Sequence, residues 1–124
     1  MAVLTGGALG SLARHGVNLL VVSATGRSVP YATAIVNIAG SLAIGLLAGL
    51  IAAGRLPMSS SVRAFVFVGI LSGFTTFSSV MLDTLTLAQA GEPGVAVANV
   101  LGQMVVGLGV AWAGYHLGVA LQAL

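Results

Sequence analysis

The stretch GILSGFTTFSSV, residues 69–80, decides how this chain folds. Thr75, Thr76, Ser78 and Ser79 surround Phe77, and two glycines, Gly69 and Gly73, precede them in an otherwise apolar run. Glycine weakens a helix, and serine and threonine compete for its backbone hydrogen bonds. At membrane depth, non-helical backbone persists only where it is buried in protein or lines a wet cavity. The stretch is therefore either a small-residue packing seam or a place where something polar passes.

Composition names the solvent around it. Of 124 residues, 58% are apolar and only 5% charged, and the mean hydropathy is +1.13. A soluble domain carries about a quarter charged residues, so water is not the main solvent of this surface. The formal net charge of +2 is too small for a nucleic-acid footprint. Cysteine is absent, which excludes a disulfide framework, a thiolate metal site and a cysteine nucleophile. The N-terminus has no basic n-region, and its apolar stretch runs past Arg14, unlike a cleavable signal peptide. The chain reads as an all-α integral membrane protein.

A crossing helix needs roughly 20 mostly apolar residues. Four such spans are expected, at residues 2–23, 31–53, 64–90 and 95–117, separated by TGRSVP, GRLPMSSS and GEPG. The third is expected to break near residues 72–76. Pro30 suits the start of the second, because its missing N–H would be unpaired there anyway. Four spans and short loops form a single membrane domain and leave no room for an extramembrane one. So thin a monomer has little interior, which argues for an oligomer. The small-xxx-small pairs Gly6/Gly10, Gly45/Gly49, Gly69/Gly73 and Gly114/Gly118 allow close helix contact between chains, or equally within one. Arg27 lies on one side against Arg55 and Arg63 on the other, a positive-inside bias weak enough for insertion both ways.

Charges inside a span are costly and mark function by default. Arg14 has no acid in the first two spans, since the only acids are Asp83 and Glu92. Left unpaired it makes a positive potential that favours an anion; otherwise it snorkels to the headgroups. Asn37 stands alone in IVNIAGSLAIG, and its amide serves either a neighbouring helix or an anion. Asn99 and Gln103 share a helix face and read best as interhelical glue. A break at Ser72–Thr76 would free carbonyl oxygens for a small hard cation, and expose N–H and hydroxyl donors. The edge of the Phe77 ring carries partial positive charge. Donors without acids suit an anion better than a cation. No catalytic set is present, so no enzyme is expected. His15 and His116 are isolated, and Trp112 and Tyr115 fit an aromatic belt.

Four segments carry a resemblance: GGALGSLARHGVN, ATAIVNIAGSLAIGLL, GILSGFTTFSS and NVLGQMVVGLGVAWAGYHLG. With VNxxGS and GFTTFS correctly spaced, the chain resembles the Fluc-type (CrcB-like) fluoride channels over nearly its whole length. That resemblance implies a dual-topology antiparallel dimer with two pores at its interface, exporting fluoride passively through the plasma membrane. It implies a fluoride pathway matching Asn37, Phe77, Arg14, Thr76, Ser78 and Ser79. It also implies a structural Na+ on backbone carbonyls, here those of Ser72 and Thr75, where the family usually has glycine at the first.

One position departs. The family stretch reads TTFSTF, and the second phenylalanine is Val80 here. Either a homodimer conducts with half its aromatic track, or a different homologous subunit supplies the missing ring, this chain then being half-conducting or silent. A small multidrug antiporter is a third reading, disfavoured because the first span holds an arginine where proton coupling needs an embedded acid.

Overall fold

A nearly uncharged apolar chain has one economical way to satisfy its backbone away from water, which is to bond each N–H to its own carbonyls. The structure, a computed structural model, describes residues 1–26 and 30–121; Arg27 lies outside them. Within these, helices are the only regular structure. Helix α1 spans Ala2–Thr25 and α2 spans Tyr31–Ala52. The short α3 (Ser60–Arg63) runs into a π-helical segment, Ala64–Leu71, and then α4 (Ser72–Phe74). After a break, α5 (Phe77–Gln89) and α6 (Pro93–Ala120) complete the order.

Local chemistry sets the ends. Gly26, at φ 67°, closes α1 in the left-handed conformation, and its N–H bonds Val22 O. Ser59 caps α3 by accepting from the Val62 N–H at 3.3 Å. Pro93 opens α6 inside the expected GEPG loop, because proline at the first helical position gives up only an N–H that has no partner there.

Among the described residues, three stretches are long and apolar enough to cross a membrane: Tyr31–Ala52, Ser60–Gln89 and Pro93–Ala120. Helix α1 is long enough, with 24 residues, but Arg14, His15 and Asn18 make it less apolar than the other three.

The helices pair by backbone contact. Helix α1 lies on the π-helical segment, and α2 lies along α6. A Cβ at Gly6 would meet Phe65 O at 2.5 Å, and one at Gly10 would overlap Ile70 O. On the second seam, Cβ atoms at Gly45 and Gly49 would overlap the carbonyls of Ala111 and Tyr115, and one at Gly118 would meet Leu46 O at 2.5 Å. All four glycine pairs are thus used inside the chain. They no longer argue for a partner, which has to be argued from the site instead.

The interior is as small as so thin a bundle allows. Among the described residues the buried apolar side chains are Ala32, Val36, Leu71, Val80 and Ala96, while Leu12, Leu101, Val105 and Leu108 point outward. Lipid is as apolar as these side chains, so close packing rather than water exclusion holds the helices together.

Gly10→Ala is expected to destabilise the fold by about 1–3 kcal/mol through overpacking against rigid backbone. Gly16→Ala, where an added Cβ meets nothing within 4 Å, should be neutral or stabilising by up to about 1 kcal/mol. Thermal unfolding of both variants in detergent checks the pair; equal melting temperatures would contradict the seam.

Candidate functional site

The site begins with a winding fault. Ser72 N–H reaches back to Phe67 O as well as Gly69 O, and Ser72 Oγ also donates to Phe67 O, at 3.0 Å. Bonds to the fifth residue back define the π-helical turn, a form that concentrates at functional sites. Helix α4 ends at Phe74, and the next two residues are extended: Thr75 at φ −80°, ψ 158° and Thr76 at φ −157°, ψ 120°. Helix α5 restarts at Phe77 with Thr76 as its cap, Thr76 Oγ1 accepting from the Ser79 N–H at 3.2 Å. A Cβ at Gly40 on α2 would overlap the Thr75 methyl group, so a glycine there gives the break its space. The expected interruption at residues 72–76 falls at Thr75–Thr76.

Two diverted donors follow from it. In a continuous helix the N–H of Thr76 would serve the carbonyl of Ser72, and that of Ser79 the carbonyl of Thr75. Here Thr76 N–H donates to Asn37 Oδ1 at 2.8 Å, and Ser79 N–H goes to Thr76 Oγ1. The carbonyls of Ser72 and Thr75 are therefore released from the helical ladder.

Asn37 closes the gap from α2. Its Oδ1 takes the Thr76 N–H, while its Nδ2 donates to Thr76 O at 3.1 Å and to Gln103 Oε1 at 2.9 Å. An asparagine amide has two N–H donors, and both are used. Behind it, Gln103 Nε2 donates to Asn99 Oδ1 at 2.9 Å, Asn99 Nδ2 to Thr84 Oγ1 at 3.0 Å, and Thr84 Oγ1 to Val80 O at 2.7 Å. This chain of donors, all pointing one way, ties α2, α5 and α6 together. The glue reading of Asn99 and Gln103 holds, with a destination the sequence did not reveal.

Two pockets flank the break. The first, about 320 Å³, is bounded by Asn37, Thr75, Thr76, Phe77, Val80 and Gln103, with Ser72 also on its wall. The Phe77 ring is 67% exposed on this chain, whereas Val80 is 5% exposed. The second, about 430 Å³, brings Arg14, His15 and Asn18 of α1 to Thr76, Ser79 and Asp83. Asp83 is buried, and its Oδ2 has no hydrogen-bond partner. Arg14 and Asp83 share this pocket without forming an ion pair among the described residues.

Thr76 lines both pockets. Its hydroxyl also lies 3.2 Å from Ser78 Oγ and 3.1 Å from Ser79 Oγ. Asn37, Thr76, Phe77 and Ser79 are thus gathered around the break, and Arg14 reaches it through the second pocket. Among the described residues, Ser78 joins through Thr76 alone. Trp112 and His116 pack 4.3 Å apart by ring centroids near the end of α6, with Trp112 exposed as an aromatic belt requires. No group of three or more His, Asp, Glu or Cys side chains stands together among the described residues.

The family model described as CrcB-like protein, Camphor Resistance (CrcB), matches residues 1–115. A Thermus thermophilus protein named fluoride-specific ion channel FluC is 46% identical over 121 residues, 98% of this chain and 95% of its own length. Proteins of the same name from Paracoccus denitrificans (46% identical, covering 99% of this chain and 96% of that one) and Opitutus terrae (42%, covering 98% and 93%) are similar throughout.

Replacing Asn37 by leucine strands the N–H and carbonyl of Thr76 together with Gln103 Oε1. Each unsatisfied buried polar group costs about 1–3 kcal/mol, so Asn37→Leu should destabilise by at least about 2 kcal/mol. Ser78→Ala should stay within about 0.5 kcal/mol. Denaturation of the two variants in the same detergent measures the difference, and equal stabilities would remove Asn37 from the break.

Proposed function

Because the chain belongs to the CrcB-like family, we propose that it is a passive, fluoride-selective channel of the plasma membrane rather than an enzyme. The observation that carries this reading is the break at Thr75–Thr76, where an exposed phenylalanine ring stands beside hydroxyl donors. A ring edge attracts an anion without the desolvation that a fixed counter-charge would demand. Close relatives carry the fluoride-channel name over nearly the full chain.

On this reading Arg14 draws the anion into the second pocket, which it lines together with Asp83. The hydroxyls of Ser79 and Ser78, backed by that of Thr76, receive it at the break, and Phe77 lines its way on. Asn37 acts at the same point. Export needs no energy source of its own, because a negative membrane potential drives an anion outward with about 2.3 kcal/mol per charge per 100 mV. Selectivity follows from a narrow path whose donors replace the hydration shell of a small anion.

A second, inverted copy completes the site. A ring 67% exposed at membrane depth lines a pathway only when another surface covers its far side. The released carbonyls of Ser72 and Thr75 also argue for a second copy. They are hard neutral oxygens and fit a structural sodium ion, which would supply a fixed positive charge at the break. Hard cations take about six oxygen ligands, so the rest must come from beyond these two, a second copy included.

Val80 favours one variation. With 5% of its surface exposed, it offers no ring to the first pocket, and a partner subunit bearing phenylalanine there would restore a full aromatic track.

Liposomes holding this chain alone, loaded with potassium fluoride and treated with valinomycin, should release fluoride rapidly to an electrode while potassium chloride is retained. Phe77→Leu should slow the release at least tenfold. A folded wild-type chain that releases no fluoride overturns the homomeric channel. In that event Val80→Phe separates the alternatives: restored release establishes the need for a second ring, and continued silence overturns the fluoride reading.

A further inference from the structure

The Asn37 amide has no free donor. Both N–H groups are bonded, one to Thr76 O and one to Gln103 Oε1, and its oxygen holds the Thr76 N–H. An anion arriving at the break would have to displace Gln103 or the backbone to reach this amide.

We propose that Gln103, backed by Asn99 and Thr84, is a positioning residue of the pathway, and that Asn37 serves it as a clamp on the broken helix rather than as an anion ligand. This rests on the fluoride-channel reading above. The Thr76 N–H can only donate, so it fixes Asn37 Oδ1 toward the backbone, and the remaining Asn37 N–H then faces Gln103. Gln103 holds that amide in place. Its Oε1 accepts only if Asn37 Nδ2 faces it, and its own Nε2 is committed to Asn99 Oδ1 at 2.9 Å. Asn99 is fixed in turn by Thr84 Oγ1 at 3.0 Å, whose proton goes to Val80 O, in the first turn of α5. The series is therefore anchored at the far end by the same helix whose start it positions.

Two expectations separate this from simple glue. Loss of the Gln103 acceptor must change the Asn37 amide itself, and fluoride must not. The donors that meet the anion at the break are then the hydroxyls of Ser78 and Ser79, with Thr76, whose own proton goes to Ser79 Oγ, behind them.

Side-chain amide NMR of the full chain in lipid nanodiscs, with selectively labelled asparagine, tests both, alongside liposome efflux. In the wild type the Asn37 NH2 signals should exchange slowly with water and stay in place when sodium fluoride replaces sodium gluconate. Gln103→Met keeps the shape and removes the acceptor. It should shift those signals, speed their exchange and cut fluoride efflux at least tenfold. Gln103→Glu keeps an accepting oxygen and should return the Asn37 signals toward wild type. If Gln103→Met does not fold, Thr84→Val interrupts the far end and should move the signals of Asn99 more than those of Asn37. Unchanged Asn37 signals in Gln103→Met overturn the proposal, and so does a fluoride-dependent shift in the wild type. A wild type without efflux whose Asn37 signals respond to Gln103→Met overturns the homomeric channel and leaves the clamp standing.

Discussion

Everything around the site depends on a paired contact between one side chain and one peptide unit. Asn37 gives Thr76 an acceptor for its N–H and a donor for its carbonyl, the two bonds a neighbouring turn of helix would otherwise provide. Without water to take them, unpaired peptide groups cost several kcal/mol at membrane depth, and the third span would close into a continuous helix. The contact lets the chain stop being helical for two residues and then resume. Three consequences come with it: the carbonyls of Ser72 and Thr75 leave the ladder, the Thr76 hydroxyl becomes a cap, and the Phe77 ring turns away from the chain's own core.

The rest of the bundle brings Asn37 to Thr76. Helix α2 is pressed against α6 by Gly45, Gly49, Gly114 and Gly118, whose missing side chains let backbones touch. Helix α1 is held on the π-helical segment in the same way by Gly6 and Gly10. Such seams are rigid because what lies opposite is backbone and cannot rotate aside. The polar series from Asn37 through Gln103 and Asn99 to Thr84 then links α2, α6 and α5. Close packing sets the distances, and hydrogen bonding sets the orientation.

Much of this was legible in the residues. Hydropathy marked the helices to within a few positions, because apolar runs and Gly/Pro punctuation respond to local physics. The clustering of Thr75, Thr76, Ser78 and Ser79 behind two glycines marked the break, since those residue types weaken a helix wherever they sit. What remained hidden depends on pairing between distant segments. Asn37 and Thr76 are 39 residues apart, and nothing in either neighbourhood says that one clamps the other. The same limit applied to Gln103, whose spacing from Asn99 showed a shared face but not which helix it would meet. The glycine pairs were ambiguous for a related reason: spacing shows that a close approach occurs, not whether the neighbour is the same chain. The π-helical turn before the break had only Gly69 and Ser72 as signals, and neither specifies a bond to the fifth residue back.

The site stands on the extended backbone at residues 75 and 76. Solid-state NMR of the labelled chain in lipid reads it directly, through the Cα and Cβ shifts of Thr75 and Thr76. Extended values at both, between helical values at Phe74 and Ser78, are the predicted result. Helical shifts running unbroken from Phe74 to Ser78 would contradict the account, because a continuous third span has no released carbonyls and no place for Asn37 to hold.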